Sequence, residues 1–484
     1  MTANDSYEEI CKGVLGIIEQ GPDSGFDRFE EYALRVFNFQ YEHNDIYRQF
    51  VDAHKVDPAA VTRWEDIPLI YNDVFKNELV SSFPLEEAIM ISITGGTTSL
   101  SQRGSILRDE WGKKLVFTAN RVMTHTYLFP DFANDTRCRI LILAPSPQVA
   151  PSMGMAVGME QTLKTFGTPD SMFLLKRSGI DVKKLVQALR ESEESGTPVA
   201  LIGATSAYVY FFQACRRDGL NFNLPAGSRV CDGGGYRGRF GVVTRDDYYQ
   251  MVEEILNVPT NHCVNTLGQA EVSTNLFDDA FYRCVKGLAP RKRSRPVPPW
   301  VRVRALSVDD LTPLPDGETG LLAHWDLGNT SSVMGLITDN LGYTSLGGTA
   351  CEIVGRAKRE QGGKVSQLPD EERTMGAMGD KPIFRMLESY TNLTIDWKMR
   401  LTKSKGGTSD GRTPPPSPRE EIETRRETVP DAVASCPVIV DEMLLAGEDP
   451  DAAAAVEASL EVFDELHAQE SANPNESARS QEKQ

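Results

Sequence analysis

Arg139-Ile-Leu-Ile-Leu-Ala144, followed by Pro145-Ser146-Pro147, and Val199-Ala-Leu-Ile202, followed by Gly203-Ala204-Thr205-Ser206, decide the fold. Past Arg139 both runs are apolar without a break, so they read as strands buried on two faces rather than half-solvated ones. Between them Val182, Leu185, Val186 and Leu189 recur at helical spacing, with Lys183, Lys184 and Arg190 on other faces. Buried strands alternating with amphipathic helices predict an α/β class with a parallel sheet flanked by helices. Ligands of such sheets sit beyond the carboxyl ends of the strands, where these small-residue turns lie.

Working outward, residues 1–84 are expected to be a mainly helical, aromatic-rich region packed on the core, with Trp64 and Phe75-Lys76 near its end. Residues 85–297 form the expected α/β core. At Pro298-Pro299-Trp300 the character changes: Val301-Arg-Val-Arg304 alternates like an antiparallel strand, and Asp316-Gly317 is a turn signal before Leu321-Leu-Ala-His-Trp325. Residues 298–360 are therefore expected to form a small β subdomain closing at Gly355-Arg356. Residues 361–433, with Lys403-Ser-Lys-Gly-Gly-Thr-Ser409, Pro414-Pro-Pro-Ser-Pro418 and a charged run from Arg419 to Glu427, bury too little apolar surface to offset chain entropy. They read as a disordered insertion. Residues 434–484 read as a truncated, cysteine-containing segment with a frayed tail.

The 484 residues are 40% hydrophobic and 25% charged, ordinary globular proportions and enough chain for several domains. A formal net charge of −18 argues against nucleic acid as the main partner. No apolar run approaches the ~18 residues that would span a bilayer, and Met1-Thr-Ala-Asn-Asp-Ser-Tyr does not resemble a signal peptide. The eight cysteines are scattered singly, which fits reduced thiols in a cytoplasmic protein better than disulfides or a zinc site.

Four segments carry residues suited to chemistry. Ser92-Ile-Thr-Gly-Gly-Thr-Thr-Ser99 follows an apolar run. Its small residues let backbone N–H groups converge on an anion, with hydroxyls from Thr94, Thr97 and Thr98. The alternative is a Gly/Thr-rich surface loop, and the Walker pattern is absent. Val230-Cys-Asp-Gly-Gly-Gly-Tyr-Arg-Gly238 presents Gly233, Gly234 and Gly235, which either admit a ring or phosphate close to the backbone or make a tight turn. Cys263-Val-Asn-Thr-Leu-Gly-Gln-Ala-Glu271 reads as strand, glycine turn and carboxylate. Glu271 is either a Mg²⁺ ligand beside phosphate oxygens or a solvated side chain. Ile337-Thr-Asp-Asn-Leu-Gly342, then Ile353-Val-Gly-Arg-Ala-Lys358, offers Asp339, which can accept ribose hydroxyls, and Arg356, which can reach ribose or phosphate; taken individually both are turn residues.

In this order the segments resemble the motif series of the adenylate-forming superfamily, to which acyl-CoA ligases belong. Within it the chain most resembles the acyl-protein synthetases of the LuxE type. The similarity runs from about Phe29 to Lys358 and resumes at Ala434, taking in Trp64-Glu-Asp-Ile-Pro68, Gly203-Ala-Thr-Ser206, Pro299-Trp300, and Ser435-Cys436 before Asp441-Glu-Met-Leu444. The resemblance implies an adenylate-forming fold and ATP with Mg²⁺. It implies a carboxylic acid substrate of the fatty-acid class, and an acyl reductase or acyl-carrier partner. It also implies site residues: Thr94, Gly95, Gly96, Thr97 and Thr98 on the triphosphate, Gly233, Gly234 and Gly235 at the adenine, Glu271 on Mg²⁺, Asp339 on the ribose, Arg356 on ribose or phosphate, and Lys358 stabilising charge. Cys436 is the implied acylated nucleophile. Ser99, Leu267 and Ala270 depart from the family pattern, which favours glycine, an aromatic residue and threonine there.

The implied chemistry joins the acid to AMP and then passes the acyl group to a thiol. Two other readings are an acyl-CoA ligase of the phenylacetate type and a degenerate, non-catalytic subunit. Met153, Met155, Met159 and Phe166 could line an acyl pocket, although such a stripe is more often core. The cysteines other than Cys436 are expected to be buried and structural.

Overall fold

The computed structural model describes residues 6–93, 104–133, 135–150, 153–176, 179–233, 245–359 and 365–369. The two runs that open the reading above lie side by side: Arg139–Pro145 and Val199–Ala204 pair in parallel, from Arg139 opposite Val199 to Leu143 opposite Gly203. Arg229–Gly233 and Cys263–Leu267 extend the sheet in parallel on one side and Met172–Lys176 on the other. Short antiparallel strands, Leu276–Phe277 and Gly179–Ile180, close its edges. The expected α/β class with a parallel sheet is what the chain forms.

Side chains alternate across a strand, so one run feeds two cores. Ile140, Ile142 and Ala144 pack with Leu115, Ala119 and Met123 of the Glu110–Leu128 helix. Leu141 and Leu143 face the other way, against Leu185 and Leu189 of Val182–Ser195 and Tyr208 and Phe212 of Thr205–Asp218. The Val182–Ser195 helix starts where Asp181 accepts the Lys184 N–H at 3.1 Å and stops at Gly196, whose φ of 66° is left-handed. In the centre of the sheet, a Cβ added at Gly203 would stand 2.7 Å from the Leu143 carbonyl oxygen. Gly203→Ala is therefore expected to lower stability by about 1–3 kcal/mol through overpacking. A denaturant melt unchanged from wild type would refute this.

A second sheet is an antiparallel meander of Val301–Leu306, Gly320–Asp326, Gly335–Ser345 and Ala350–Arg359. Three short strands complete it. Arg295–Pro296 and Val365–Pro369 pair with Ala350–Arg359, and Ile70–Tyr71 lies parallel to Gly335–Ser345. Val365–Pro369 lies inside the stretch read as an insertion. The ladder to Ala350–Arg359 supplies backbone partners that composition does not reveal.

The helices Tyr7–Glu19, Phe29–His43 and Asp45–Ala53 close over the residues that follow Asp326. Gln40 donates to the Asn329 carbonyl at 2.8 Å and accepts the Met334 N–H at 3.0 Å. Asn44 donates to the Ser332 carbonyl at 3.2 Å, and the Tyr7 and Thr330 hydroxyls lie 3.4 Å apart. Trp64 packs edge-on against Trp325, ring centroids 4.9 Å apart. These helices, one face of the parallel sheet and the antiparallel sheet share one continuous core.

Candidate active site

The strands Val199–Ala204, Arg229–Gly233 and Cys263–Leu267 end at one rim, with Ala204, Gly233 and Thr266 in register. Gly233 lies on that rim, where an added Cβ would stand 3.2 Å from the Thr266 methyl. Below it a buried polar chain joins the two sheets. Asp232 accepts from Thr205 Oγ1 and Asn265 Nδ2, both at 2.8 Å. Asn265 Oδ1 accepts from Arg295, which also pairs with Glu352. Burial pushes the Glu352 carboxyl up, but Arg295 and Arg245 outweigh it and hold the pKa below the ordinary value.

The turn after Leu267 carries Glu271. Two of its N–H groups, of Ser273 and Thr274, donate to the buried Asp326 at 3.0 and 2.8 Å. Trp300 Nε1 donates to Thr274 Oγ1 at 3.0 Å, so the tryptophan after Pro299 braces the same turn. The Glu271 carboxylate is half-buried and faces three groups from distant segments. Asn72, which follows the Ile70–Tyr71 strand, donates to Oε1 at 3.5 Å. Asp339, on Gly335–Ser345, and Arg356, on Ala350–Arg359, pair at 3.4 Å and both act electrostatically on Glu271. Tyr71, Asn72, Asp73, Leu321, Thr338, Asp339 and Ala357 line a cleft at this point. Glu271, Asp339 and Arg356 thus come together from three separate segments.

Burial raises the pKa of Glu271; Asp339 adds to the rise, while Arg356 and Asn72 oppose it. Glu271 and Asp339 present two carboxylates beside the Arg356 guanidinium. That donor set fits Mg²⁺, which takes one or two carboxylates and completes its shell with substrate oxygens and water. Among the described residues no three His, Cys, Asp or Glu side chains cluster as a closed metal cage would require.

Thr94, Gly95, Gly96, Thr97, Thr98, Gly234, Gly235 and Cys436 lie outside the described residues. The strands on either side of the first loop, Met90–Ile93 and Ser105–Arg108, pair as an antiparallel hairpin, with Ile93 opposite Ser105. Lys358 is in the Ala350–Arg359 strand, its backbone opposite Ser366. Met159 and Phe166 are core residues, Phe166 stacked on Phe129 at 4.7 Å. Cys11, Cys215, Cys231, Cys263 and Cys351 are buried, and burial pushes the Cys11 and Cys351 thiols up to about 12. Cys138 and Cys284 correct the expectation: Cys138 is half-buried, and Cys284 is exposed at the end of a short helix, Ala280–Val285. Asn72 escaped the sequence reading because a two-residue strand has no periodicity to mark it.

A profile of the family described as acyl-protein synthetase, LuxE, matches residues 22–369. The chain is 26% identical over 333 residues to the long-chain-fatty-acid–luciferin-component ligase of Vibrio harveyi, covering 67% of this chain and 82% of the relative. To the ligase of the same name from Aliivibrio fischeri it is 24% identical over 317 residues, covering 65% and 78%. Among solved structures, 2-hydroxyisobutyryl-CoA ligase in the postadenylation state with 2-HIB-AMP is similar at a TM-score of 0.49 and 14% identity, covering 80% of this chain and 73% of that one. Among the described residues no helix is long and apolar enough to cross a membrane.

Proposed function

Because the chain belongs to the acyl-protein synthetase, LuxE, family, we propose that it uses ATP to convert a carboxylic acid to an acyl-adenylate and then moves the acyl group to a thiol, its own Cys436. The relatives' name, a ligase of a long-chain fatty acid, supports that substrate class. The convergence of Glu271, Asp339 and Arg356 from three separate segments, with Asp339 lining a cleft, carries the reading.

A carboxylate is a poor electrophile because its charge is delocalised. In the first step its oxygen bonds to the α-phosphorus of ATP, and the bond to pyrophosphate breaks. Thr94, Gly95, Gly96, Thr97 and Thr98 hold the triphosphate by backbone N–H groups and hydroxyls. Gly233, Gly234 and Gly235 let the adenine lie against the backbone. Asp339 accepts the ribose hydroxyls, oriented by Arg356 at 3.4 Å, while Arg356 and Lys358 offset charge on the α-phosphate. Glu271 would hold Mg²⁺, which when bound would supply Lewis-acid stabilisation of the phosphate oxygens. In the second step the Cys436 thiolate, its proton lost to solvent, attacks the acyl carbonyl and AMP leaves. The thioester is then delivered to a partner, an acyl reductase or carrier protein, in the cytoplasm.

Acid-dependent ATP–pyrophosphate exchange, screened across carboxylic acids, tests the first step. A folded protein that exchanges with none of them is the degenerate subunit, and the proposal fails. A hydroxylamine-labile adduct formed without coenzyme A separates self-acylation from the coenzyme A ligase reading. Asn72→Ala, which removes the amide from Glu271, is expected to lower exchange about tenfold. Exchange kinetics equal to wild type would show that Asn72 plays no part.

A further inference from the structure

Arg108 stands at the open end of the hairpin that carries the Thr94–Thr98 loop, opposite Met90. The sequence presents it as a basic group close to a phosphate loop, but its side chain turns inward and is only 2% exposed. Burying a full charge is unfavourable unless its partners repay the lost hydration. Here repayment is incomplete: Nε meets no acceptor among the described residues, and burial pulls the pKa down to about 10. Asp326 and Asp109 favour the charged form from nearby.

The two bonds the guanidinium does make explain its place. Nη2 donates to the Ala270 carbonyl and Nη1 to Ser273 Oγ, each at 3.1 Å, so Arg108 grips the chain on both sides of Glu271. Ser273 Oγ donates to Asn329 Oδ1 at 2.7 Å, and Asn329 Nδ2 donates to the Glu271 carbonyl at 2.7 Å. The carbonyls of Ala270 and Glu271 are thus both held in a network that begins on the phosphate-loop hairpin. An aliphatic side chain would fill the same space without a desolvation penalty. What it lacks is direction, the two divergent donors of a planar guanidinium.

We propose that Arg108 is a positioning residue that sets the Glu271 turn in register with the phosphate-loop hairpin, so that the carboxylate meets the Mg²⁺ carried by ATP. The proposal rests on the function argued above. It predicts a selective defect: the loop still binds ATP, but the contribution of Mg²⁺ to that binding shrinks.

The test uses calorimetric titration of the full chain with ATP, in Mg²⁺ and in EDTA, for wild type and Arg108→Lys. Lysine keeps the charge but cannot span both acceptors. The expected result is a Kd for ATP in Mg²⁺ raised about tenfold, as for loss of a group that orients a metal ligand, with the Kd in EDTA unchanged. Unchanged binding in Mg²⁺ overturns the proposal, as does equal weakening in both media, the sign of a merely structural role. Ser273→Ala, which removes one acceptor without touching the charge, is read the same way if Arg108→Lys does not fold. Wild-type exchange, run on the same protein, keeps the two claims apart. If wild type neither exchanges with any acid nor binds ATP more tightly in Mg²⁺, the functional reading falls and takes this one with it. If wild type does both and the variants match it, only the role of Arg108 is lost.

Discussion

Glu271→Gln is expected to reduce acid-dependent exchange by about 10²–10³-fold, the scale of losing one preorganised electrostatic contact, while making the folded protein more resistant to heat. Glutamine keeps the size of the side chain and can still meet Asn72, but cannot carry the charge. The stability gain follows from linkage. Burial raises the folded-state pKa of Glu271 above its unfolded value, with Asp339 contributing and Arg356 and Asn72 opposing. The folded state thus binds the proton more tightly than the unfolded chain does. The stabilisation it brings is fully present below the unfolded carboxylate pKa of ~4.3 and is lost as pH rises through the folded value. Glutamine does not ionise, so its advantage over wild type should be small in acid and widen towards neutrality. Melting curves at about pH 4 and about pH 7.5 read this directly. A variant that melts lower than wild type at neutral pH would show that the carboxylate is not held at a cost. Retained exchange would remove Glu271 from the site.

Cys436→Ser is expected to leave exchange intact and eliminate the hydroxylamine-labile acyl adduct, because exchange needs only the first step whereas the adduct needs the thiolate. Serine is nearly isosteric but far too weak an acid to attack as an alkoxide without a base. A free thiol has a pKa of ~8.5, so near neutral pH most of it is protonated. Self-acylation should therefore increase with pH beyond the point at which exchange levels off. Mass spectrometry of the acylated chain locates the adduct. Loss of exchange and acylation together would contradict the division of roles between the cleft and Cys436.

The parallel sheet was legible because Arg139–Pro145 and Val199–Ala204 are apolar at successive positions, and each face turned out to have its own helical layer. The antiparallel sheet was legible from the alternation in Val301–Leu306, whose buried and half-buried residues follow the pleat. Glu271, Asp339 and Arg356 were singled out by the order of their motifs, since each alone is an ordinary turn or strand residue, and their side chains lie near one another. What stayed hidden depends on contacts between segments far apart in the chain. Ile70–Tyr71 and Val365–Pro369 are strands only because a partner strand offers its edge. Asn72 gains meaning from a bond to a residue 199 positions away, and Arg108 from one 162 positions away. Cys284 resembles its buried counterparts in sequence, and only the end of its helix at the surface distinguishes it.

The closure of the amino-terminal helices over the segment after Asp326 has a temporal consequence. Gln40 and its carbonyl partner at Asn329 are separated by 289 residues. Translation at roughly 5–20 residues per second would leave Gln40 without that partner for about 15–60 seconds. During that interval Gln40 and Asn44, both buried in the finished fold, lack the backbone carbonyls of Asn329 and Ser332 to which they donate. The polar contacts that fasten the amino-terminal helices to the antiparallel sheet therefore form only after most of the chain has been made.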